Sequence, residues 1–185
     1  MPASAKGLAV VYTSTLASIR KKMKEVIFGN PDQFAIRYIP GYKTEADRYY
    51  YAFLHLILGG QIIGDPEEEC FLPTWLNEVK RINREILDTN VLSSKEFTDR
   101  TDKEFIESAS FTIDETTDGW LIALIENEGF LKFIWKGLRS PCPEERIGEV
   151  YSTVVKREDV IETINKCVTT VEKEFPTYQL KNNAC

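Results

Sequence analysis

The stretch from Arg48 to Leu58 constrains the fold more than any other. Read at the two-residue period of a strand, Tyr49, Tyr51, Phe53, His55 and Ile57 share one face, and Tyr50, Ala52, Leu54, Leu56 and Leu58 share the other. A strand that is mostly apolar on both sides needs cover above and below and paired neighbours on its flanks, so it is expected to be central. Gly59-Gly60 follows at once, a two-residue hairpin signal, because glycine reaches positive φ without a Cβ clash. Gln61 to Gly64 is then the antiparallel return.

Other elements are expected around that hairpin. Glu25 to Phe28 reads as a short strand and Gly29-Asn30-Pro31-Asp32 as a turn. Gln33 to Ile39 is a strand with Phe34, Ile36 and Tyr38 on one face, ended by Pro40-Gly41, and Tyr42 to Asp47 is a polar loop. Asp65 to Glu69 is an acidic loop. Leu72, Trp75, Leu76, Val79, Ile82 and Ile86 recur at helical spacing, which predicts an amphipathic helix over 73–88 with Pro73 in its first turn. After a polar stretch from Asp88 to Arg100, Thr101 and Glu104 form a capping-box pattern for a short helix to about Ser108. Trp120 to Ile125 and Phe130 to Trp135 make a second hairpin around Asn127-Glu128-Gly129, with Leu131, Phe133 and Trp135 opposed to Lys132 and Lys136. Val150 to Val155 is another strand, and the last helix is expected over 157–174 with Pro176 beyond its end. Hairpins and segregated amphipathic helices predict an α+β fold: an antiparallel, hairpin-rich sheet with the two main helices on one face.

The 185 residues suit one domain, expected over 23–176 with a tail at 177–185. Residues 1–22 carry Lys6, Arg20, Lys21 and Lys22 and no acid. They read as an extension upstream of a natural start at Met23 rather than as a signal peptide, because their apolar core is short and the basic cluster lies on its wrong side. The protein is therefore expected in the cytoplasm, and beyond it, in the periplasm, only if that segment exports it. Taking those four bases from the chain's 23 leaves 19 against 29 acids, a net of −10. Such a field disfavours nucleic acid and attracts basic proteins. No apolar run approaches the roughly 20 residues of a membrane helix. Cys70, Cys142, Cys167 and Cys185 form no C-x-x-C pair, which leaves zinc and thioredoxin-type readings unsupported.

Candidate chemistry is sparse. His55 is the one histidine, and its place among Tyr51, Phe53, Leu56 and Ile57 favours a hydrogen-bonded sheet residue over a general base. Gly59-Gly60 and Gly64 fit neither a phosphate loop nor a dinucleotide fingerprint. Trp75, Trp120 and Trp135 sit in apolar patterns, so packing in the core outweighs a role as interface anchors. Tyr49, Tyr50 and Tyr51 point alternately, so at least one leaves the core face. No cofactor, metal or catalytic residue is expected.

The segment Ile27-Phe28-Gly29-Asn30-Pro31 with Phe34-Ala35-Ile36, the hairpin ending Ile63-Gly64-Asp65 and the helix led by Leu72 to Leu76 resemble the start of a bacterial immunity-protein family encoded beside polymorphic or contact-dependent toxins. Asp118-Gly119-Trp120, the turn Glu126 to Gly129, the strand ending at Trp135, and Val150 to Val155 before the last helix continue the resemblance, which covers about 23–175. It implies a non-enzymatic protein that binds and blocks one cognate toxin. The matching positions are structural, so they carry no binding residues over. The acidity of this chain points to a basic toxin, such as a nuclease domain, met by Glu67, Glu68 and Glu69 together with Asp114, Glu115 and Asp118. A small hydrolase using paired acids or His55 is the alternative, and a non-catalytic adaptor or structural subunit is the third reading.

Overall fold

The computed structural model describes residues 24–44, 49–88 and 100–175. In chain order these form β1 (Val26–Asn30), β2 (Phe34–Lys43), β3 (Tyr50–Leu58), β4 (Gln61–Ile63), β5 (Cys70–Phe71), α1 (Leu72–Leu87), α2 (Asp102–Ser108), β6 (Trp120–Asn127), β7 (Phe130–Gly137), β8 (Val150–Lys156) and α3 (Arg157–Glu174). The class is α+β. The expectations for 1–22, for the tail from 177 and for most of the polar stretch after Asp88 fall outside the described residues.

The strands divide into two antiparallel sheets. In the first, β3 is flanked by β2 on one side and by β4 and β5 on the other, with β1 beyond β2. The central position expected of this run is therefore observed for Tyr50–Leu58. The second sheet runs β6-β7-β8. The sheets meet where Phe34 and Phe133 stack with centroids 5.0 Å apart and where the Trp135 indole N–H donates to Gln61 Oε1 at 3.2 Å. Gly59 is needed at that junction. Its φ is +53°, and a Cβ there would come within 3.0 Å of the Trp135 ring.

α1 and α3 pack together on the inner face of the first sheet, in a core that includes Tyr38, Leu54, Trp75, Trp120, Trp135 and Cys167. All three tryptophans are at most 2% exposed, so their role is packing. The buried face of α1 is Leu72, Trp75, Leu76, Val79, Ile82 and Ile86, the stripe read from the sequence. The Asp88 N–H closes on Arg84 O at 2.8 Å, and the last carbonyls of the helix take further donors from outside it. Arg157, first residue of α3, donates to Ile86 O at 2.7 Å and Leu87 O at 3.2 Å, and pairs with Glu126 of β6 at 3.3 Å. One guanidinium thus ties two helices to the second sheet.

That sheet is covered on its other face too. Phe105 and Ile106 of α2 pack against Ala123 and Ile134. The helix opens on the expected capping box: Thr101 Oγ1 accepts from Glu104 N at 3.3 Å, and Thr101 N donates to Glu104 Oε2 at 2.8 Å. Lys132 and Lys136, outward on β7, reach Asp102 at 2.6 Å and Glu107 at 3.1 Å.

Pro40-Gly41 does not end β2. The register slips there, from Ile39 opposite Phe53 to Tyr42 opposite Tyr51, so three steps on β2 match two on β3. This is a β-bulge, which re-aims the side chains that follow it. Before the bulge, Phe34, Ile36 and Tyr38 point into the core; after it, Tyr42 shares the outer face with Tyr51. Gly41 permits the close approach, because a Cβ would lie 1.6 Å from the Tyr51 carbonyl oxygen.

Candidate functional site

The two acidic stretches singled out in the sequence, about fifty residues apart, lie side by side. After β4 the chain turns at Gly64, whose φ is +107°, and runs along the turn Glu115–Thr117. Asp65 N–H donates to Thr116 O at 3.2 Å, fastening loop to turn.

The loop is shaped by Asp65. Its Oδ1 accepts from Glu67 N–H at 2.8 Å, and its carbonyl accepts from Glu68 N–H at 3.2 Å. Such Asx turns hold a short loop in one conformation without a helix or sheet ladder. The same carbonyl lies 2.8 Å from His55 Nε2. A carbonyl oxygen only accepts, so Nε2 carries the proton there. His55 is 1% exposed and acts as a tether from the central strand to the acidic loop, the sheet role expected of it. His55→Leu removes that donor at similar volume. It should cost about 1 kcal/mol and speed amide exchange at Glu67 and Glu68 while the exchange of β2 and β3 stays slow.

The partner turn is held from inside. Thr117 Oγ1 accepts from Ile113 N at 3.1 Å and Asp114 N at 3.2 Å and donates to Asp114 O at 2.8 Å. Thr116 Oγ1 donates to Asp114 Oδ1 at 2.7 Å. These contacts separate the acids. Glu67, Glu68, Glu115 and Asp118 are exposed, and Glu69 is half-buried near the Tyr42 phenol, whose pKa burial and this carboxylate raise. Asp114 is 8% exposed, so it lies beneath the acidic surface and not on it. Its Oδ2 makes no hydrogen bond. Burial, with Glu115 and Glu68 nearby, outweighs the Thr116 hydroxyl and pushes this carboxyl up to about 6. Burial also raises the neighbouring Cys70 thiol, whose charged form is further disfavoured by Asp114.

Elsewhere, an open groove of about 850 Å³ runs between β1 and α3, bordered by Phe28, Ile161, Glu162, Lys166 and Thr169. Glu162 there is paired with Lys166 at 2.5 Å. Among the described residues no three His, Cys, Asp or Glu side chains are grouped to hold a metal ion, and no helix is long and apolar enough to cross a membrane.

The family model described as immunity protein 42, Imm42, matches residues 26–170. The chain belongs to the Imm42 family. The match spans both sheets, all three described helices except the end of α3, and both acidic loops. Among solved structures, this Imm42 chain is similar to CdiI from Burkholderia dolosa AUO158, with a TM-score of 0.55 and 17% identity over 78% of this chain and 99% of that one. At that identity the likeness concerns the fold. No curated protein matches the sequence. The expected family is therefore the observed one, and the signal was a set of backbone-shaping residues, not a catalytic motif.

Proposed function

We propose that this Imm42 protein binds a cognate bacterial toxin and neutralises it by non-covalent occlusion, working in the cytoplasm. Family membership over 26–170 carries the reading, and the juxtaposed acidic loops supply its surface. Glu67, Glu68, Glu69, Glu115 and Asp118 form the contact set, and Asp114 acts from below by holding the turn. Charges presented on a preformed loop steer a basic partner and speed encounter. The toxin is accordingly basic, as a nuclease domain is. His55 has its Nε2 committed to a backbone carbonyl and supports structure, which weighs against the hydrolase reading.

The test is charge reversal. The variant Glu67→Lys, Glu68→Lys, Glu115→Lys, Asp118→Lys is mixed with the toxin domain encoded beside this protein's gene. Association should slow by roughly ten-fold or more at low salt, with the difference shrinking as salt screens it. Protection of cells expressing the toxin should weaken in parallel. An unchanged on-rate and undiminished protection would remove these loops from the interface.

A further inference from the structure

Beside the acidic loop, the outer face of the first sheet carries a row of rings. Tyr42, Tyr51 and Phe71 lie opposite one another across β2, β3 and β5. Tyr42 stacks on Tyr51 at 5.8 Å, Tyr51 tilts against Phe71 at 5.8 Å, and Tyr49 tilts against Phe71 at 6.0 Å. The inward neighbours Tyr50, Ala52 and Cys70 are in the core, so this row is the opposite, outward set. Tyr42 remains 45% exposed and Tyr49 51%.

Packing alone gives no reason to aim Tyr42 outward, since Phe34, Ile36 and Tyr38 before it all face the core. The Pro40-Gly41 bulge moves it across, and the move needs a glycine to admit the Tyr51 carbonyl. The Tyr42 phenol is then near Glu69, and burial together with that carboxylate pushes its pKa up. The rings are thus fixed by one another before any partner arrives, so little side-chain freedom remains to be lost on docking. Tyrosine faces rimmed by carboxylates suit one chemistry above others: a guanidinium, which stacks on the ring and pairs with the acid.

We propose that this tyrosine row, with Glu67 to Glu69 on its rim, is the anchoring surface for the toxin, and that its occupant is a basic segment presenting an arginine side chain. The inference rests on the immunity reading and names where its binding energy is concentrated. Aromatic and arginine anchors dominate interface affinity, whereas rim charges set the rate of encounter. The row therefore acts on dissociation and the exposed acids on association.

The experiment uses the full chain and the toxin domain encoded beside its gene, followed by surface plasmon resonance. The double variant Tyr42→Ala, Tyr49→Ala removes two exposed rings, and circular dichroism checks its fold. Dissociation should accelerate at least thirty-fold with the on-rate within about three-fold of the unaltered chain. Tyr42→Phe, which keeps the ring, should retain most of the affinity. Phenylglyoxal labelling of the toxin should show an arginine protected in the complex and exposed again with the double variant. If the unaltered chain does not bind, the immunity reading falls and this surface with it. If it binds and the double variant dissociates at the same rate, or no arginine is protected, the surface alone is overturned. Self-association of the unaltered chain that the double variant abolishes would assign the row to a second copy and also overturn the proposal.

Discussion

Gly41→Val should destabilise the protein by about 3 kcal/mol or more and should abolish the outward placement of Tyr42. The position is not one of unusual φ; the constraint is space. A Cβ at residue 41 would sit 1.6 Å from the Tyr51 carbonyl oxygen and 2.7 Å from Ala52 Cα. Both are backbone atoms of the central strand, so no rotamer change relieves the overlap. Ordinary overpacking costs about 1–3 kcal/mol because side chains can yield. Here β2 must lift from β3, which breaks ladder hydrogen bonds as well. Strand lifting at Tyr42 also separates its ring from Tyr51. Urea unfolding should show a lower midpoint, and amide exchange should quicken at 42–43 and 50–52 ahead of the second sheet. Gly60→Ala is the control: its φ is +79°, yet a Cβ there meets nothing within 4 Å, so only backbone strain of about 1 kcal/mol is expected. Equal effects at the two glycines would show that close approach at Gly41 is not what matters.

The contrast with the sequence is sharpest at this same place. Pro-Gly reads locally as a strand end, since proline donates no hydrogen bond and glycine loses more freedom on ordering than any other residue. Whether such a pair ends a strand or bulges it depends on the partner strand, which local pattern does not contain. The Tyr42–Asp47 loop and the termination at Ile39 followed from that local reading, and the position of Tyr42 went with them. β5 escaped for a related reason: Cys70-Phe71 is too short to show a period. By contrast α3 runs over the residues expected, because four signals coincide there: apolar spacing, Glu158 and Asp159 at the positive end, Lys173 near the other, and Pro176 beyond. The capping box of α2 is legible because it needs only four neighbouring residues. Division of the strands into two sheets is tertiary, fixed where Phe34 meets Phe133 and Trp135 meets Gly59. The pairing of acidic loops is tertiary as well, carried by a backbone bond between Asp65 and Thr116 that composition does not encode. Asp114 shows the limit of reading charge from sequence: it stands beside Glu115 and two residues from Thr116, and only the fold decides that it goes inward.

Asp114 also sets an expected dependence of stability on pH. Its carboxyl is raised from 3.8 to about 6, chiefly by burial. A raised acid binds its proton more tightly folded than unfolded. Its favourable contribution is therefore complete below the unfolded value of 3.8 and is lost as pH rises through about 6. At pH 7 the carboxylate is charged in both states, and the folded protein bears a burden of about 3 kcal/mol for holding it with Oδ2 unpartnered. The charged and titratable groups that face it are Glu68, Glu115 and the Cys70 thiol, and none of them supplies a compensating cation. Between pH 7 and pH 5 this residue should add about 1.4 kcal/mol to unfolding free energy. Asp114→Asn keeps an oxygen for the Thr116 hydroxyl and removes the charge. It should be more stable than the unaltered protein at pH 7 by about 1–3 kcal/mol, and about 1.4 kcal/mol of that gain should disappear on acidification to pH 5. Chemical unfolding at the two pH values measures both quantities. The unaltered chain losing stability from pH 7 to pH 5 while Asp114→Asn follows the same curve would show that this carboxyl is not the buried, charge-averse group described.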